Sequence, residues 1–186
     1  MRRISRLYLA SPDAGYPGAA DRMIRRALLA ERRGFNLLAP APPSAIAEPD
    51  EVTARALYAE RVALMRQADA GLVNLTPFRG PEASSSTSFE MGFLAGLGKP
   101  VMGWMNLSDE IDADYRERVE SWLGARQDED GLWRDGEDCL IEDFGLPEGV
   151  MLWSEARRLF LIVTDDPLDD LTGFEMCLDA MRLYAD

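Results

Sequence analysis

The 186-residue chain contains no histidine. That absence excludes the Ser-His-Asp and Cys-His triads and the usual zinc sites, in which imidazole serves as base or ligand. Cysteine is nearly as scarce. Cys139 and Cys177 are the two thiols, too few for a disulfide framework or a metal-ligand pattern. Lys99 is the sole lysine, so a Schiff-base mechanism has one candidate. Acid, base and nucleophile must therefore come from carboxylates, tyrosine, that lysine or bound water. Neither a metal nor a cofactor is expected. No apolar run approaches the roughly 20 residues of a membrane-spanning helix. Met1-Arg2-Arg3 imitates the start of a secretion signal, but the apolar stretch behind it breaks at Ser11-Pro12-Asp13, too soon for one. A cytoplasmic protein with no membrane partner is expected.

Positive charge is also short. Twenty Lys and Arg stand against 33 Asp and Glu, a formal net charge of -13 and a pI near 4.5. Such a surface repels phosphate backbones, so extended nucleic acid is not an expected partner. A small nucleoside, nucleotide or nucleobase stays open, because local donors in a cleft outweigh net charge. Hydrophobic residues at 47% and charged residues at 28% give the balance of a soluble globular chain. The length predicts one domain over residues 1–186, with enough chain to bury a core.

Residues 4–10 read as a short strand and Ser11-Pro12-Asp13-Ala14-Gly15 as a loop. Helical spacing follows over 21–33, with Met23, Ala27, Leu28 and Ala30 on one side and arginines on the other, then Gly34 as a C-terminal cap. A strand at 35–39 closes on Pro40-Ala41-Pro42-Pro43. A second helix over 50–68 carries Val52, Ala56, Ala59, Ala63 and Leu64 at roughly helical intervals. Residues 70–75 form a nearly continuous apolar strand, as at the centre of a parallel sheet. A loop at 76–86, a helix over 88–97 ended by Gly98-Lys99-Pro100, and a strand at 101–105 complete a β-α-β-α-β-α-β order. That alternation predicts a doubly wound, flavodoxin/Rossmann-like parallel sheet of about five strands with helices on both faces. Residues 106–143 are an acidic excursion, read as a helix near 115–123 followed by a long loop, either solvated or a lid. A last strand at 159–164 precedes a closing helix over 168–184, with Leu171, Phe174, Cys177, Leu178, Met181 and Leu183 as core positions.

The segment from Asp69 to Gly92 concentrates polar residues between a strand and a helix. Loops at the carboxyl ends of strands form the ligand crevice of such sheets. Thr87-Ser88-Phe89-Glu90 fits a capping box, in which Glu90 serves the backbone of its own helix start. In a first turn the helix dipole would also favour its charge. By spacing alone the serines Ser84, Ser85 and Ser86 read as plain loop residues before ligands.

The motifs Phe78-Arg79-Gly80-Pro81-Glu82, then Thr87-Ser88-Phe89-Glu90-Met91-Gly92, then Gly98-Lys99-Pro100-Val101, occur together and in order. With Tyr8-Leu9-Ala10-Ser11-Pro12 before them and Phe144-Gly145-Leu146-Pro147 and Met151-Leu152 after, the chain resembles the nucleoside 2-deoxyribosyltransferase family over most of its length. The resemblance implies that Glu90 attacks C1′ of a nucleoside sugar, displaces the base and carries the sugar as an ester until a second base or water takes it. It gives Tyr8 the role of holding the carboxylate. It places Ser11, Arg61, Phe78, Arg79, Gly80, Glu82, Ser84, Ser86 and Met151 around the substrate. It also implies a homodimer or higher homo-oligomer, with residues 144–151 completing a neighbour's site and Met151 and Trp153 at the interface.

Three positions depart from the family pattern. Ser84 replaces an aspartate expected to contact the base and move a proton, and a hydroxyl is a poor general acid. Arg61 stands where an Asp or Asn usually faces the substrate; it either binds a phosphate or a carbonyl-rich base, or turns outward. Gly149 replaces an asparagine that binds the sugar 5′-hydroxyl in the neighbouring subunit's site. These changes leave attack by Glu90 intact but open two alternatives: hydrolysis of a (deoxy)nucleoside 5′-monophosphate, in a branch of the family that binds phosphate through serines, or nucleotide binding without turnover.

Overall fold

The computed structural model describes residues 4–40 and 50–185. Met1-Arg2-Arg3 and Ala41-Pro42-Pro43 lie outside the described residues. The main elements run β1 (Arg6–Ala10), α1 (Ala19–Arg32), β2 (Asn36–Leu38), α2 (Glu51–Gln67), β3 (Ala70–Asn74), α3 (Ser85–Gly96) and β4 (Val101–Leu107). They continue with α4 (Tyr115–Leu123), β5 (Ala125–Gln127), β6 (Trp133–Asp135), α5 (Val150–Glu155), β7 (Arg158–Val163) and α6 (Thr172–Ala185). Five strands form a parallel sheet in the order β2-β1-β3-β4-β7, the doubly wound architecture expected. The sequence order reverses between β1 and β3, which opens a crevice at their carboxyl ends.

Alternation along the strands divides the core in two. Leu7 and Leu9 of β1 point to one face, where Ala30 of α1 and Phe174, Cys177, Leu178 and Met181 of α6 meet them. Tyr8 and Ala10 point to the other, where Met65 of α2 and Met91 and Leu94 of α3 pack. Every residue of β3 and β4 is buried, which accounts for their nearly continuous apolar runs. On the first face Gly173 lets α6 close on Trp104, because an added Cβ would meet the indole at 2.7 Å.

Several expected faces are corrected. In α1, Met23 and Ala30 pack inward, but Ala27 and Leu28 are exposed, while Arg22 and Arg26 are buried. The reason is Asp13, itself buried in the loop after β1. Its Oδ2 lies 2.7 Å from Arg26 Nη1 and 3.7 Å from Arg22 Nε. The Arg26 guanidinium also sits over the rings of Trp104 and Phe174. In α2, Val52, Ala56, Ala59 and Ala63 are exposed, and Met65 provides the buried anchor. In α6, which begins at Thr172 rather than 168, Leu183 is exposed beside a correctly read set of four buried residues.

The acidic excursion has the expected helix α4, but the loop after it folds into an antiparallel hairpin of β5 and β6. It is not solvated along its length. Arg118 of α4 is fully buried and donates to the carbonyls of Pro81, Asp112, Ala113 and Pro147. The short helix α5 was not legible, since six residues carry little periodicity.

Removing Arg26 leaves Asp13 buried without its closest counter-charge, a class of change that costs about 3–5 kcal/mol. Arg26→Ala is therefore expected to lower unfolding free energy by about that much in urea titrations. Loss below about 1 kcal/mol would show that Arg22 alone neutralises Asp13.

Candidate functional site

Three side chains tie the carboxyl ends of β1, β3 and β4 together. Asn74 ends β3; its Oδ1 accepts from Thr76 N at 3.1 Å and Thr76 Oγ1 at 2.6 Å. Its Nδ2 donates to Ser11 Oγ at 3.2 Å, and Ser11 Oγ donates to Asp13 Oδ1 at 2.6 Å. Thr76 Oγ1 in turn accepts from Asn106 N of β4 at 2.9 Å. Ser11 thus belongs to the scaffold of the crevice and is braced by the buried Asp13.

Glu90 lies in α3, which starts at Ser85, so it sits beyond the first turn. The capping-box reading is overturned. Ser84 is the N-cap residue, makes no side-chain cap bond, and its carbonyl accepts from both the N–H and the hydroxyl of Ser88. Starting the helix three residues earlier than the motif suggested turns Glu90 inward, where it is 4% exposed. Arg61 reaches across from α2 and donates from Nη1 to Glu90 Oε1 at 2.8 Å. Arg61 thus turns inward rather than outward.

Burial pushes the Glu90 carboxyl above its ordinary value; Arg61 and, more weakly, Tyr8 draw it back only in part. The expectation that a helix N-terminus keeps Glu90 readily ionised is corrected accordingly. Tyr8, on the central strand β1, is fully buried on the same side of the sheet. Its hydroxyl makes no hydrogen bond of full geometry among the described residues. It still couples to the carboxylate: burial raises the phenol well above its usual range, and the charge of Glu90 raises it further.

A cleft of about 470 Å³ runs between α2 and α3. Leu57, Tyr58, Val62 and Phe89 give it apolar walls, and Arg61, Glu90, Ser85 and Ser86 give it a polar end. Tyr58 and Phe89 were not singled out as site residues; their signal is a pair of exposed aromatics on facing helices, with ring centroids 6.4 Å apart.

The other candidates gather elsewhere. Phe78, Arg79, Gly80 and Glu82 line a second cleft of about 430 Å³ with Tyr115, Cys139 and Ile141 of the excursion. Tyr115 donates its hydroxyl to Glu82 Oε1 at 2.8 Å. Arg79 adopts a left-handed φ of 59° and lays its guanidinium over Phe78. Met151 is 80% exposed on α5 and is not brought to the Glu90 cleft by its own chain. Gly149 caps α5 beside Glu142 and the buried Glu148.

The doubly wound sheet, with a buried carboxylate and tyrosine under a cleft near its switch point, defines an α/β enzyme class that works without imidazole. The model of the nucleoside 2-deoxyribosyltransferase family matches residues 7–151, and the chain belongs to that family. Its members are glycosyltransferases or N-glycosidases, and this chain is an enzyme of that kind. Among solved structures, a 2-desoxiribosyltransferase from Leishmania mexicana superposes with a TM-score of 0.64 at 21% identity, covering 97% of this chain and 98% of that one. A CMP N-glycosidase from Clostridium botulinum gives 0.46 at 14% identity over 95% and 99%. A 2-deoxyribosyltransferase from Bacillus psychrosaccharolyticus gives 0.44 at 18% over 54% and 72%. No curated protein sequence matches the chain.

The raised Glu90 carboxyl has a consequence for stability. A carboxyl raised on folding contributes stability below its unfolded value and loses it as pH rises through its folded value. Glu90→Gln is therefore expected to melt at a higher temperature than the wild type at pH 8, with the gap narrowing toward pH 4. A wild type more stable than the variant at pH 8 would mean that the Arg61 ion pair outweighs burial.

Proposed function

We propose that this enzyme cleaves the N-glycosidic bond of a (deoxy)nucleoside by covalent catalysis at Glu90. The observation that carries the reading is a buried carboxylate at the end of the α2/α3 cleft, with one oxygen held by Arg61 and Tyr8 beside it. Oε2 attacks C1′ as the bond from C1′ to the base nitrogen breaks, and the base leaves with the bonding pair. The ester then breaks when a second base, or water, attacks C1′ and returns the carboxylate. Arg61 fixes the orientation of Glu90 and offsets part of the cost of its buried charge. With Ser84 in place of an acid, the departing base takes its proton from water.

A specific observation favours hydrolysis of a nucleoside 5′-monophosphate as the second reading. Arg61 shares its cleft with the hydroxyls of Ser85 and Ser86 at the start of α3, where no side chain caps the helix. A guanidinium, two hydroxyls and free helix N–H groups suit a phosphate. Substrate contacts by Phe78, Arg79, Gly80, Glu82, Ser84 and Ser86 belong to the same proposal. Residues 1–186 act as one domain in cytoplasmic nucleotide salvage. The functional unit is a homo-oligomer in which 144–151 reaches a neighbour's site, a role supported by the exposure of Phe144, Met151 and Trp153. Among the described residues no helix is long and apolar enough to cross a membrane.

Product analysis on deoxynucleosides and their 5′-monophosphates, with and without an acceptor base, separates the readings. Base exchange that disappears in Glu90→Ala establishes transfer. Release of free base without exchange, lost in Glu90→Ala and weakened by Ser85→Ala or Ser86→Ala for phosphorylated substrates only, establishes the hydrolase. Equal silence of wild type and Glu90→Ala overturns catalysis on these substrates and leaves a nucleotide-binding cleft.

A further inference from the structure

Tyr58 of α2 and Phe89 of α3 meet at the wall of the Glu90 cleft, and both are more than half exposed. Their rings are inclined at 49° to one another. Phe89 is braced by Phe93, four residues along the same helix, with ring centroids 6.1 Å apart. The Arg66 guanidinium in turn sits over Phe93. Ligand clefts are typically lined in this way, by aromatic and aliphatic surface with a few polar groups that fix orientation. Here the polar groups have been assigned to the reaction and to a phosphate, and the aromatic pair has no part in either.

Helix geometry places the pair beside the reacting group. Phe89 immediately precedes Glu90. Tyr58 comes three residues before Arg61, on the same side of α2 and about 4.5 Å along its axis. A base is bonded directly to C1′. A nucleoside whose C1′ faces Glu90 therefore lays its base along the adjoining walls of the cleft. Side chains that read the edge of a base are scarce there. Among the described residues lining the cleft there is no asparagine, glutamine or aspartate, and its one carboxylate, Glu90, is held by Arg61. We infer that the nucleobase stacks on Tyr58 and Phe89 and is held by its face rather than by its edge. The inference rests on reading Glu90 as the nucleophile, which sets where the base begins.

Holding a base by its face defines a substrate class. Every base has a π-face, so stacking tolerates a change of base. The stabilisation grows with the ring area covered, so a purine is held more tightly than a pyrimidine. Exchanging an amino for an oxo group alters the donors and acceptors at the edge and leaves the ring in place. Adenine and hypoxanthine are therefore accepted alike, and so are cytosine and uracil. A site that hydrogen-bonds the edge behaves in the opposite way, because a mismatched edge leaves a buried donor or acceptor unpaired. The Tyr58 hydroxyl is the one polar tip on the aromatic pair, and its removal separates stacking from edge recognition.

The test is an NMR titration of the full chain with 9-methyladenine, 9-methylhypoxanthine, 1-methylcytosine and 1-methyluracil. In each probe the methyl carbon stands where C1′ would be and no glycosidic bond is present, so binding is read without turnover. The two purines are expected to bind within about threefold of one another, and the two pyrimidines likewise. Each purine is expected to bind more tightly than each pyrimidine. Tyr58→Ala and Phe89→Ala should each weaken all four probes by about fivefold or more, while Tyr58→Phe and Phe89→Tyr retain the affinity. Circular dichroism checks that these exposed substitutions leave the fold intact. Four results overturn the inference: no binding of any probe; affinities unchanged by Tyr58→Ala and Phe89→Ala; binding lost in Phe78→Ala instead, which would place the base in the second cleft; or a gap of about tenfold or more within either pair, which would show edge recognition. Failure of the covalent reading looks different. Probes that bind as expected to a protein without base release or exchange remove the reaction and keep the base site, whereas turnover lost in Glu90→Ala but indifferent to Tyr58→Ala and Phe89→Ala removes the base site alone.

Discussion

A carboxylate buried between two helices sets the terms for the rest of this molecule. Glu90 cannot stay charged at 4% exposure without compensation, and Arg61 supplies it from the neighbouring helix at 2.8 Å. The pair therefore joins α2 to α3 at the point where the cleft between them closes. Tyr8 comes to the same place because strand alternation sends it to the α2/α3 face while Leu7 and Leu9 turn to the other. Even so, burial outweighs the compensation and the carboxyl remains raised. A carboxylate in this state is held against the stability of the fold, a familiar relation between functional groups and the scaffolds that carry them.

The same device recurs away from the cleft. Asp13 is buried under Arg22 and Arg26, and Arg118 is buried under the carbonyls of Pro81, Asp112, Ala113 and Pro147. The chain uses arginine for nearly all of its cations, and a planar guanidinium with five donors satisfies a buried site that an ammonium would not. Each arginine also fixes a segment that frames the crevice. Asp13 braces Ser11 after β1, and Arg118 pins the loop after β3 to the excursion. The excursion is thus a wall of the second cleft, a role midway between the solvated loop and the lid.

The sheet and its strand order were legible because β3 and β4 are apolar except for Asn74 and Asn106 near their ends, and each is followed by a polar break. The family motifs pointed to Glu90 and Tyr8, and Arg61 stood out as a departure from the family pattern; the fold brings the three to one place. Helix faces were less legible. The sequence pattern treats an arginine as a surface residue, so it turned α1 the wrong way around Arg22 and Arg26, whose burial depends on Asp13 from another element. In α2 several small apolar residues mimic a core stripe, yet the side that packs is set by Met65 and by Arg61 reaching Glu90. The capping box was a local pattern that an earlier helix start overrode. The hairpin of β5 and β6 and the short α5 were missed because three-residue strands and a six-residue helix carry too little periodicity to register.

The central claim is that Glu90 itself becomes covalently attached to the sugar. The most direct measurement is mass spectrometry of peptides from enzyme quenched during turnover of a deoxynucleoside with no acceptor base present. The account predicts one added deoxyribosyl group, on the peptide containing Glu90 and on no other, absent from Glu90→Ala. Turnover without any such adduct, under conditions where the ester would accumulate, or an adduct that persists in Glu90→Ala, would contradict it.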